Sequence, residues 1–481
     1  MRELFLSYET FRPALQEGRT SCKEAVDFFL QQIERNNPRL NALLEVYETS
    51  ARARAEELDQ ALAQGHDPGP LTGMVVAIKD NMALKDHFIG ASSRILEGFR
   101  AVYTATAIQR IRDAGAILIG RCNCDEFAMG GSNENSAYGP VRNAARETQV
   151  AGGSSGGSAV AVQAHFCMAA LGSDTGGSVR QPASFTGTIG LRPTYGRISR
   201  YGLYAFASSM DQIGPLAHTV SDVARLMHVM AGADPHDATA SQKPPPRLTP
   251  KQPETALRLA HLPEVMNLPG LDAEIKTALQ AFLNQREAEG HALQEASFPF
   301  MNQVVPTYYV VANAEASSNL SRYAGMLYGR RAEAPQSLQD AIIRSRSEGF
   351  GAEVQRRIML GTFVLSEGYY EAYYGKAQKV RALIRQTLED ILKDADAIVL
   401  PTTPTCAFRL GAHEQDPVAM YLEDVFTVQA ALAGLPAISV PQGVHTSGLP
   451  FGLQIIGRAF DEERLLGFAQ QITSSPALRS S

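Results

Sequence analysis

The N-terminal part of the chain alternates between helical and strand-like patterns of apolar residues. Ser21 and Glu24 form a capping box ahead of an apolar face at helical spacing, and a second helical stretch covers about 50–64. After a break rich in glycine and proline, residues 74–78 form an uninterrupted apolar run, which is typical of a buried strand. The pattern therefore predicts helices first and then a strand that ends immediately before Lys79.

The alternation continues around a long helical stretch. A helix at about 105–114 leads to a short strand at 117–119, and most of 304–392 is helical, with a long amphipathic run from Tyr369 onward. The remaining predictions are a helix near 221–232, a surface loop or linker at 234–253, and strands at 397–400, 438–440 and 452–456.

Because strands lie on both sides of the helical stretch, the sequence predicts one α/β domain and not two independent ones. We expect this domain to cover residues 1–481, with an N-terminal helical segment at 1–66, a core at 70–235 and a mostly helical insertion at about 300–395.

The composition is that of an ordinary globular protein with a mildly acidic charge. Apolar residues make up 44% of the 481 residues, charged residues make up 20%, and the formal net charge is −6. The chain therefore has no general basic field that would attract nucleic acid, and a tRNA or DNA partner, if there is one, is expected to be held by another subunit.

The cysteine pattern and the N-terminus indicate a cytoplasmic protein without a bound metal. Five cysteines without a C-x-x-C pair favour neither disulfide bonds nor a zinc site, which fits a reducing cytosol. The first residues lack the apolar core of a signal peptide, and no apolar run has the length of a membrane span.

Two clusters of glycine and serine stand between apolar segments, GGSSGGS at 152–158 and GSDTGGS at 172–178. Flexible linkers of this composition are rarely embedded between core segments. A phosphate-binding loop is also disfavoured, because neither cluster continues into Lys-Ser/Thr or fits G-x-G-x-x-G after a strand. The clusters are better suited to a serine nucleophile.

The first cluster contains one candidate nucleophile. Gly153-x-Ser155-x-Gly157 matches the G-x-S-x-G nucleophile elbow. That motif needs a strand immediately before it, and residues 144–149 do not have the pattern of a strand. A histidine partner elsewhere in the chain would still be compatible with this assignment.

The second cluster offers an oxyanion hole beside a serine. Backbone amides of Thr175, Gly176 and Gly177 precede the Ser178 hydroxyl, and one such donor is typically worth roughly 3–4 kcal/mol. A serine hydroxyl also needs a base, and Lys79 is the candidate because desolvation at the end of a strand would lower its pKa. A solvated lysine that closes a strand explains the same pattern.

Three motifs together resemble the amidase signature family: VAIKDN around Lys79, GGSSGGS, and GSDTGGSVRQPAS. The resemblance implies an α/β fold with a large mixed β-sheet flanked by helices on both sides, and a Ser–Ser–Lys triad. By motif, the lysine is Lys79, the middle serine with a cis peptide bond is Ser154, and the nucleophile is Ser178. Ser155 is then a neighbour of the relay serine.

Longer segments are similar to one branch of that family, the glutaminase subunits of tRNA-dependent amidotransferases. They are LRPTYGRISRYGLYAFASSMDQIGP, EASSNLSRYAGMLYG and RRIMLGTFVLSEGYYEAYYGKAQKVR. The resemblance implies hydrolysis of glutamine and delivery of ammonia to a B subunit, which amidates Glu-tRNA(Gln), with Asp-tRNA(Asn) left open as a second acceptor. It also implies a heterotrimer with B and C subunits, no cofactor on this chain, and ATP and Mg²⁺ on the B subunit.

Glutamine carries an α-carboxylate and an α-ammonium, so its pocket needs one basic and one acidic residue. By resemblance these are Arg357 and Asp424, with Met129 and Gly130 also at the substrate. Each charged residue has a neighbour of like charge, which leaves the register open by one position: Arg356 and Glu423.

Two other functions remain open from the sequence. A stand-alone amidase for another carboxamide would have the same triad and a different pocket. A non-catalytic scaffold subunit would have the fold without the activity, but the presence of all three triad residues argues against it.

Overall fold

The apolar runs in the sequence become the strands of the structure. The computed structural model describes residues 2–250, 253, 255–414 and 416–474. Its strands are β1 (Leu43–Val46), β2 (Val75–Lys79), β3 (Ile117–Cys122), β4 (Arg142–Asn143), β5 (Arg146–Val150), β6 (Ala169–Asp174), β7 (Ile189–Arg192), β8 (Gln212–Ala217), β9 (Arg258–His261), β10 (Ala292–Glu295), β11 (Ala397–Pro401), β12 (Ala437–Val444) and β13 (Pro450–Ile456).

The α-helices of the described residues lie between these strands, except that two precede β1 and one follows β13, and four of them lie in succession between β10 and β11. They are α1 (Tyr8–Gln16), α2 (Cys22–Leu40), α3 (Glu48–Ala63), α4 (Thr106–Asp113), α5 (Gly156–Gln163), α6 (Arg180–Thr186), α7 (Val220–Met230), α8 (Pro263–Met266), α9 (Ala273–Ala288), α10 (Val304–Asn319), α11 (Leu338–Gly349), α12 (Ala352–Leu365), α13 (Lys376–Asp394), α14 (Pro417–Leu422), α15 (Val428–Ala433) and α16 (Glu462–Thr473). None of the helices in the described part of the chain combines the length and apolar composition of a membrane span.

Eleven of the described strands form one mixed sheet, in the order β1-β3-β2-β6-β8-β7-β12-β13-β11-β9-β10. β2 runs parallel to β3 and β6, β9 runs parallel to β10 and β11, and the other neighbours are antiparallel. α5 packs on β2, β6 and β8, while α6 packs on β7, β12 and β13. The predicted α/β class with a large mixed sheet and flanking helices is confirmed.

The register between β2 and β6 determines where the candidate site lies. Both strands are buried along their whole length, and Ile78 pairs with Leu171 in parallel. Parallel neighbours present their carboxyl ends at the same edge of the sheet, which is where α/β proteins place their ligand sites. Lys79 at the end of β2 and Ser173 near the end of β6 therefore emerge side by side.

Most local predictions are confirmed. The capping box of Ser21 and Glu24 is present at the start of α2, and β2 ends at Lys79. The prediction that residues 144–149 contain no strand is wrong, because β5 covers Arg146–Val150. This strand lies outside the main sheet, where it pairs with β4 and bridges Arg409 through Gln149, and its exposed half lacks the apolar pattern of a core strand.

Candidate active site

Lys79 ends β2 with its side chain fully buried. Its Nζ atom lies 2.7 Å from Ser154 Oγ, 2.9 Å from Ser155 Oγ and 3.0 Å from Ser173 Oγ. Burial lowers the pKa of Lys79 to about 8, although the more distant Asp125 acts in the opposite direction. A lysine in this environment is uncharged in a large fraction of molecules at mildly alkaline pH, so it can act as a base.

The first glycine–serine cluster holds Ser154 against Lys79. The Gly153–Ser154 peptide bond is cis, as the family resemblance implies. Gly153 N–H donates to Gln181 Oε1 at 2.8 Å, and Asp125 N–H donates to the Ser154 carbonyl at 3.2 Å. The cis peptide at Ser154 is therefore held by backbone contacts on both of its residues.

The second cluster turns sharply around Asp174 at the end of β6. The Asp174 carboxylate accepts N–H groups from Gly177 at 3.0 Å and Val179 at 3.3 Å, and buried Arg180 and Arg192 lie 2.9 and 3.1 Å from its Oδ1. Burial alone would raise the pKa of Asp174, but the two guanidinium groups hold that pKa well below its usual range. A permanently ionised carboxylate thus organises the turn that leads to Ser178.

Ser178 is the member of the predicted triad that reaches solvent, with 8% exposure against 0% for Lys79 and Ser154. Its carbonyl accepts a hydrogen bond from Ser155 N–H at 3.1 Å, which ties the two clusters together. Within the described residues, the Ser154 and Ser178 hydroxyls are not hydrogen-bonded to each other. Catalytic contacts of this kind often tighten only when substrate is bound.

Three backbone amides next to the Ser178 hydroxyl are available to an oxyanion. The N–H groups of Thr175, Gly176 and Ser178 have no acceptor within the part of the chain that the structure describes. The N–H of Gly177, also predicted as an oxyanion donor, is already engaged with Asp174.

Arg357 lies on α12 and is buried among aromatic rings. Its guanidinium carbon lies 5.2 Å from the ring centre of Tyr309 and 5.6 Å from that of Tyr421, and its Nε donates to Glu353 Oε1 at 2.8 Å. Burial opposes the charge, but the nearby Glu353 raises the pKa of Arg357 above its usual value. The neighbouring Arg356 side chain is 43% exposed, so Arg357 is the arginine of the pair that faces the interior.

Asp424 is partly buried beside the same aromatic rings. Its Oδ2 accepts a hydrogen bond from the Tyr309 hydroxyl at 3.0 Å, so Tyr309 contacts both Asp424 and Arg357. Loss of surrounding water raises the pKa of Asp424 to about 7. Glu423 is engaged elsewhere, because its two oxygens accept from the Thr405 hydroxyl at 3.1 and 3.0 Å.

A cavity of about 480 Å³ opens beside Arg357. Gly130 lines it together with Arg357 and Tyr421. Met129 is buried next to Gly130, and a side chain at Gly130 would collide with the carboxylate of Asp125. The predicted substrate residues Gly130 and Arg357 therefore line one cavity, as does Arg356, whereas Met129 and Asp424 are not among its lining residues.

Three polar side chains at the site were not singled out from the sequence: Asn81, Ser173 and Gln181. Asn81 Nδ2 donates to Ser173 Oγ at 2.9 Å, and Gln181 Nε2 donates to the Gly131 carbonyl at 2.6 Å. All three lie inside the motifs around Lys79 and Ser178, and that position was the available signal.

The Ser155 hydroxyl does not have the surroundings of a nucleophile elbow. It lies 2.9 Å from Lys79 Nζ, donates to the Ser173 carbonyl at 3.1 Å and accepts from Ser173 N–H at 3.2 Å. The arrangement is built on a lysine, and the solvent-facing serine is Ser178.

A protein-family match over most of the chain agrees with this arrangement of a lysine and serines. The Amidase family matches residues 24–466. The chain belongs to the amidase family. The three motifs around Lys79, Ser154 and Ser178 all lie inside the matched region.

Relatives within this family are similar along nearly their whole length. The A subunit of glutamyl-tRNA(Gln) amidotransferase from Synechococcus sp. (strain CC9605) is 50% identical, over 97% of this chain and 95% of the relative. The protein of the same name from Acidobacterium capsulatum is 49% identical, over 98% of this chain and 99% of the relative.

Solved structures extend the likeness to other amidases. The crystal structure of the A subunit of glutamyl-tRNA(Gln) amidotransferase from Thermotoga maritima is 39% identical, with a TM-score of 0.77 over 95% of this chain and 92% of that chain. The native peptide amidase from Stenotrophomonas maltophilia is 27% identical, with a TM-score of 0.82 over 98% and 96% of the two chains. An amidotransferase subunit and a peptide amidase thus share one fold with this chain.

Proposed function

We propose that this chain is the glutaminase subunit of a tRNA-dependent amidotransferase, in which Ser178, Ser154 and Lys79 form the catalytic triad. The observation that carries the proposal is the contact of 2.7 Å between the Ser154 hydroxyl and a fully buried lysine whose environment favours the uncharged amine. The near full-length similarity to the A subunits of amidotransferases supports glutamine as the amide.

The proposed reaction begins with formation of a tetrahedral intermediate. Ser178 Oγ attacks the side-chain amide carbon of glutamine while its proton passes to Ser154, whose own proton passes to neutral Lys79. The amides of Thr175, Gly176 and Ser178 stabilise the oxyanion, and they need no reorganisation to do so.

Collapse of this intermediate breaks the carbon–nitrogen bond. The protonated lysine returns a proton through Ser154 to the leaving nitrogen, ammonia departs, and a glutamyl ester remains on Ser178. Water then attacks the ester, which releases glutamate and regenerates the Ser178 hydroxyl.

The cavity beside Arg357 supplies the means to recognise free glutamine. Arg357 would bind the α-carboxylate through its two Nη groups, because its Nε is already held by Glu353. Asp424 would hold the α-ammonium, while Met129 and Gly130 would form the wall next to the side-chain amide.

The proposal extends to the assembly. The chain would work in the cytoplasm as part of a heterotrimer with B and C subunits, and it would pass ammonia to the B subunit. That subunit would bind ATP, Mg²⁺ and misacylated tRNA, and amidation would yield Gln-tRNA(Gln), with Asp-tRNA(Asn) as a second acceptor to be tested. The acidic net charge of −6 supports this division of labour.

The test measures release of ammonia and glutamate from glutamine by the full chain, alone and after assembly with B and C subunits. We expect turnover that rises on assembly and is lost in Ser178→Ala. Turnover of another amide from a panel, with none of glutamine in either state, would favour a stand-alone amidase instead. Inactivity toward every amide would favour a scaffold.

A further inference from the structure

Lys79 contacts more hydroxyl groups than a proton relay needs. A neutral primary amine has two N–H groups and one lone pair, and only the hydroxyl that donates to the lone pair can transfer its proton. The partners of Lys79 are the hydroxyls of Ser154, Ser155 and Ser173, at 2.7, 2.9 and 3.0 Å. Two of the three must therefore accept from the amine.

Ser155 is one acceptor because its own hydrogen is already used. Its O–H donates to the Ser173 carbonyl at 3.1 Å, and one of its lone pairs accepts from Ser173 N–H at 3.2 Å. A serine hydroxyl has one donor and two acceptor positions, so the remaining position accepts an N–H from Lys79.

Ser173 is the second acceptor. Its hydroxyl lies 2.9 Å from the side-chain amide of Asn81, whose other terminal atom is buried without a partner in the described structure. If the Asn81 amide is turned over, its oxygen takes the Ser173 O–H and no hydroxyl hydrogen is left unpaired. In either orientation of the amide, Ser173 keeps a lone pair for Lys79.

We propose that Ser155 and Ser173 are positioning residues: they accept the two N–H protons of neutral Lys79 and so aim its lone pair at Ser154. This inference rests on the proposed triad and adds to it the groups that orient the base. The reacting protons remain those of Ser178 and Ser154, so Ser155 and Ser173 neither gain nor lose a proton in the reaction.

The proposal predicts the sign of a change in pKa. Charged Lys79 donates three protons, one to each hydroxyl, and hydrogen bonds from a charged donor are stronger than those from a neutral one. Removing one acceptor therefore destabilises the charged form more and lowers the pKa of Lys79 further, by roughly 0.5–1 unit. Misaiming the lone pair should also slow the reaction of Ser178 by roughly 10- to 100-fold.

The experiment follows the reaction of the full-length chain with phenylmethylsulfonyl fluoride across a range of pH, read by intact mass. A bond forms between Ser178 Oγ and sulfur, the sulfur–fluorine bond breaks, fluoride leaves, and the serine proton passes through Ser154 to Lys79. The variants are Ser155→Ala and Ser173→Ala, and Ser178→Ala identifies the labelled residue.

Ser158→Ala is the matched control. Ser158 is buried on α5 and donates to a β6 carbonyl, that of Leu171, at 3.0 Å, as Ser155 does to Ser173, but it does not touch Lys79. Thermal melting of each variant shows whether the fold is kept. If Ser155 had a purely structural role, Ser155→Ala and Ser158→Ala would show the same pH profile of Ser178 labelling.

We expect slower labelling at the alkaline plateau together with a midpoint shifted to lower pH in Ser155→Ala and Ser173→Ala, and neither change in Ser158→Ala. A midpoint shifted upward would show that water has entered a loosened site, and would overturn the proposal. An unchanged profile would overturn it too, as would failure of both variants to fold while Ser158→Ala folds.

The same assay separates this inference from the function on which it rests. Labelling of Ser178 with the expected shifts, but without hydrolysis of glutamine, would remove the glutaminase assignment and leave the positioning role intact. Absence of labelling in the wild type would remove both the triad and the inference.

Discussion

Two regions of the candidate active site solve opposite electrostatic problems. The lysine floor, formed by Lys79, Ser154, Ser155 and Ser173, surrounds a buried amine with neutral hydroxyls. The arginine wall, formed by Arg357, Glu353, Asp424, Tyr309 and Tyr421, holds the Arg357–Glu353 ion pair and the Asp424 carboxyl beside stacked aromatic rings. The floor favours an uncharged lysine, whereas the wall keeps Arg357 charged through its contact with Glu353.

The two regions also come from different parts of the chain. The floor lies at the ends of β2 and β6 and in the loop before α5, inside the family motifs. The wall comes from α10, α12, α14 and the segment after α14. Proteins named for different amides share the fold at 25% and 27% identity. We therefore expect the floor to carry the chemistry and the wall to select the substrate.

The largest expected effect comes from substituting the proposed triad, which consists of Lys79 and Ser154 in the floor and Ser178 next to it. Ser178→Ala, Ser154→Ala and Lys79→Ala should each reduce kcat for glutamine by roughly 10⁴-fold or more, and the triple variant should be little worse than the worst single one. The reason is that three groups that pass one proton act as a unit. Steady-state ammonia release by all four variants measures this, and additive losses would contradict the triad.

A change in the wall should affect binding and leave the floor intact. Arg357→Met removes the fork for the α-carboxylate and should lower kcat/KM for glutamine by roughly 10²- to 10³-fold. Glu353 keeps a charged partner, because Arg356 also pairs with it. The rate of Ser178 sulfonylation should be unchanged, since that reagent has no carboxylate.

Arg356→Met is the matched control for this prediction, because it removes the exposed partner of the same Glu353. Its effect on kcat/KM should be several-fold at most. A larger loss in Arg356→Met than in Arg357→Met would show that the neighbouring arginine binds the substrate.

The sequence predicts which motifs form the lysine floor better than it predicts the contacts between their side chains. The apolar run before Lys79 and the two glycine–serine clusters are local patterns, and the structure brings them together at one sheet edge. The contact between Lys79 and Ser173 spans 94 positions in the chain and depends on the pairing of β2 with β6. No local pattern encodes that register, so Ser173 was missed.

The charged residues of the wall are harder to assign from the sequence, because Arg357 and Asp424 each have a neighbour of the same charge. Both arginines line the cavity, and burial separates Arg357 from the more exposed Arg356, but the sequence of α12 does not indicate which of the two is buried. β5 was missed for a related reason: a strand outside the main sheet, exposed over its first half, needs no continuous apolar pattern.

Burial of Lys79 in the floor should also lower the free energy of unfolding, and the size of this loss should depend on pH. Folding lowers the pKa of Lys79 from 10.5 to about 8, so between these values the unfolded chain binds the extra proton. The free energy of unfolding of the wild type, relative to Lys79→Met, should therefore rise by roughly 3 kcal/mol from about pH 7.5 to 10.5.

Urea unfolding of both proteins at several pH values measures this difference, because other titrating groups cancel in it. Lys23→Met is the control, since the Lys23 side chain is 52% exposed and solvent reaches its ammonium in the folded state as well. A relative stability of Lys79→Met that does not change with pH would mean that Lys79 remains charged in the fold.

The smallest expected effect concerns Asp424. Because the pKa of this carboxyl is raised to about 7, it is ionised above that pH and protonated below it. Only the ionised form attracts the α-ammonium of glutamine, so KM should rise as pH falls through about 7. Asp424→Asn should raise KM by roughly tenfold at alkaline pH and abolish this dependence.

Glu423→Gln distinguishes the two neighbouring carboxylates, because Glu423 is held by Thr405 and should leave KM unchanged. The pH dependence on the acidic side also distinguishes the contribution of the lysine floor from that of the arginine wall. In the wild type, kcat/KM requires both neutral Lys79 and ionised Asp424, so it should fall below pH 7 more steeply than the rate of Ser178 sulfonylation, which requires only the former. In Asp424→Asn the two profiles should become parallel. If they were already parallel in the wild type, the charge on Asp424 would play no part in binding glutamine.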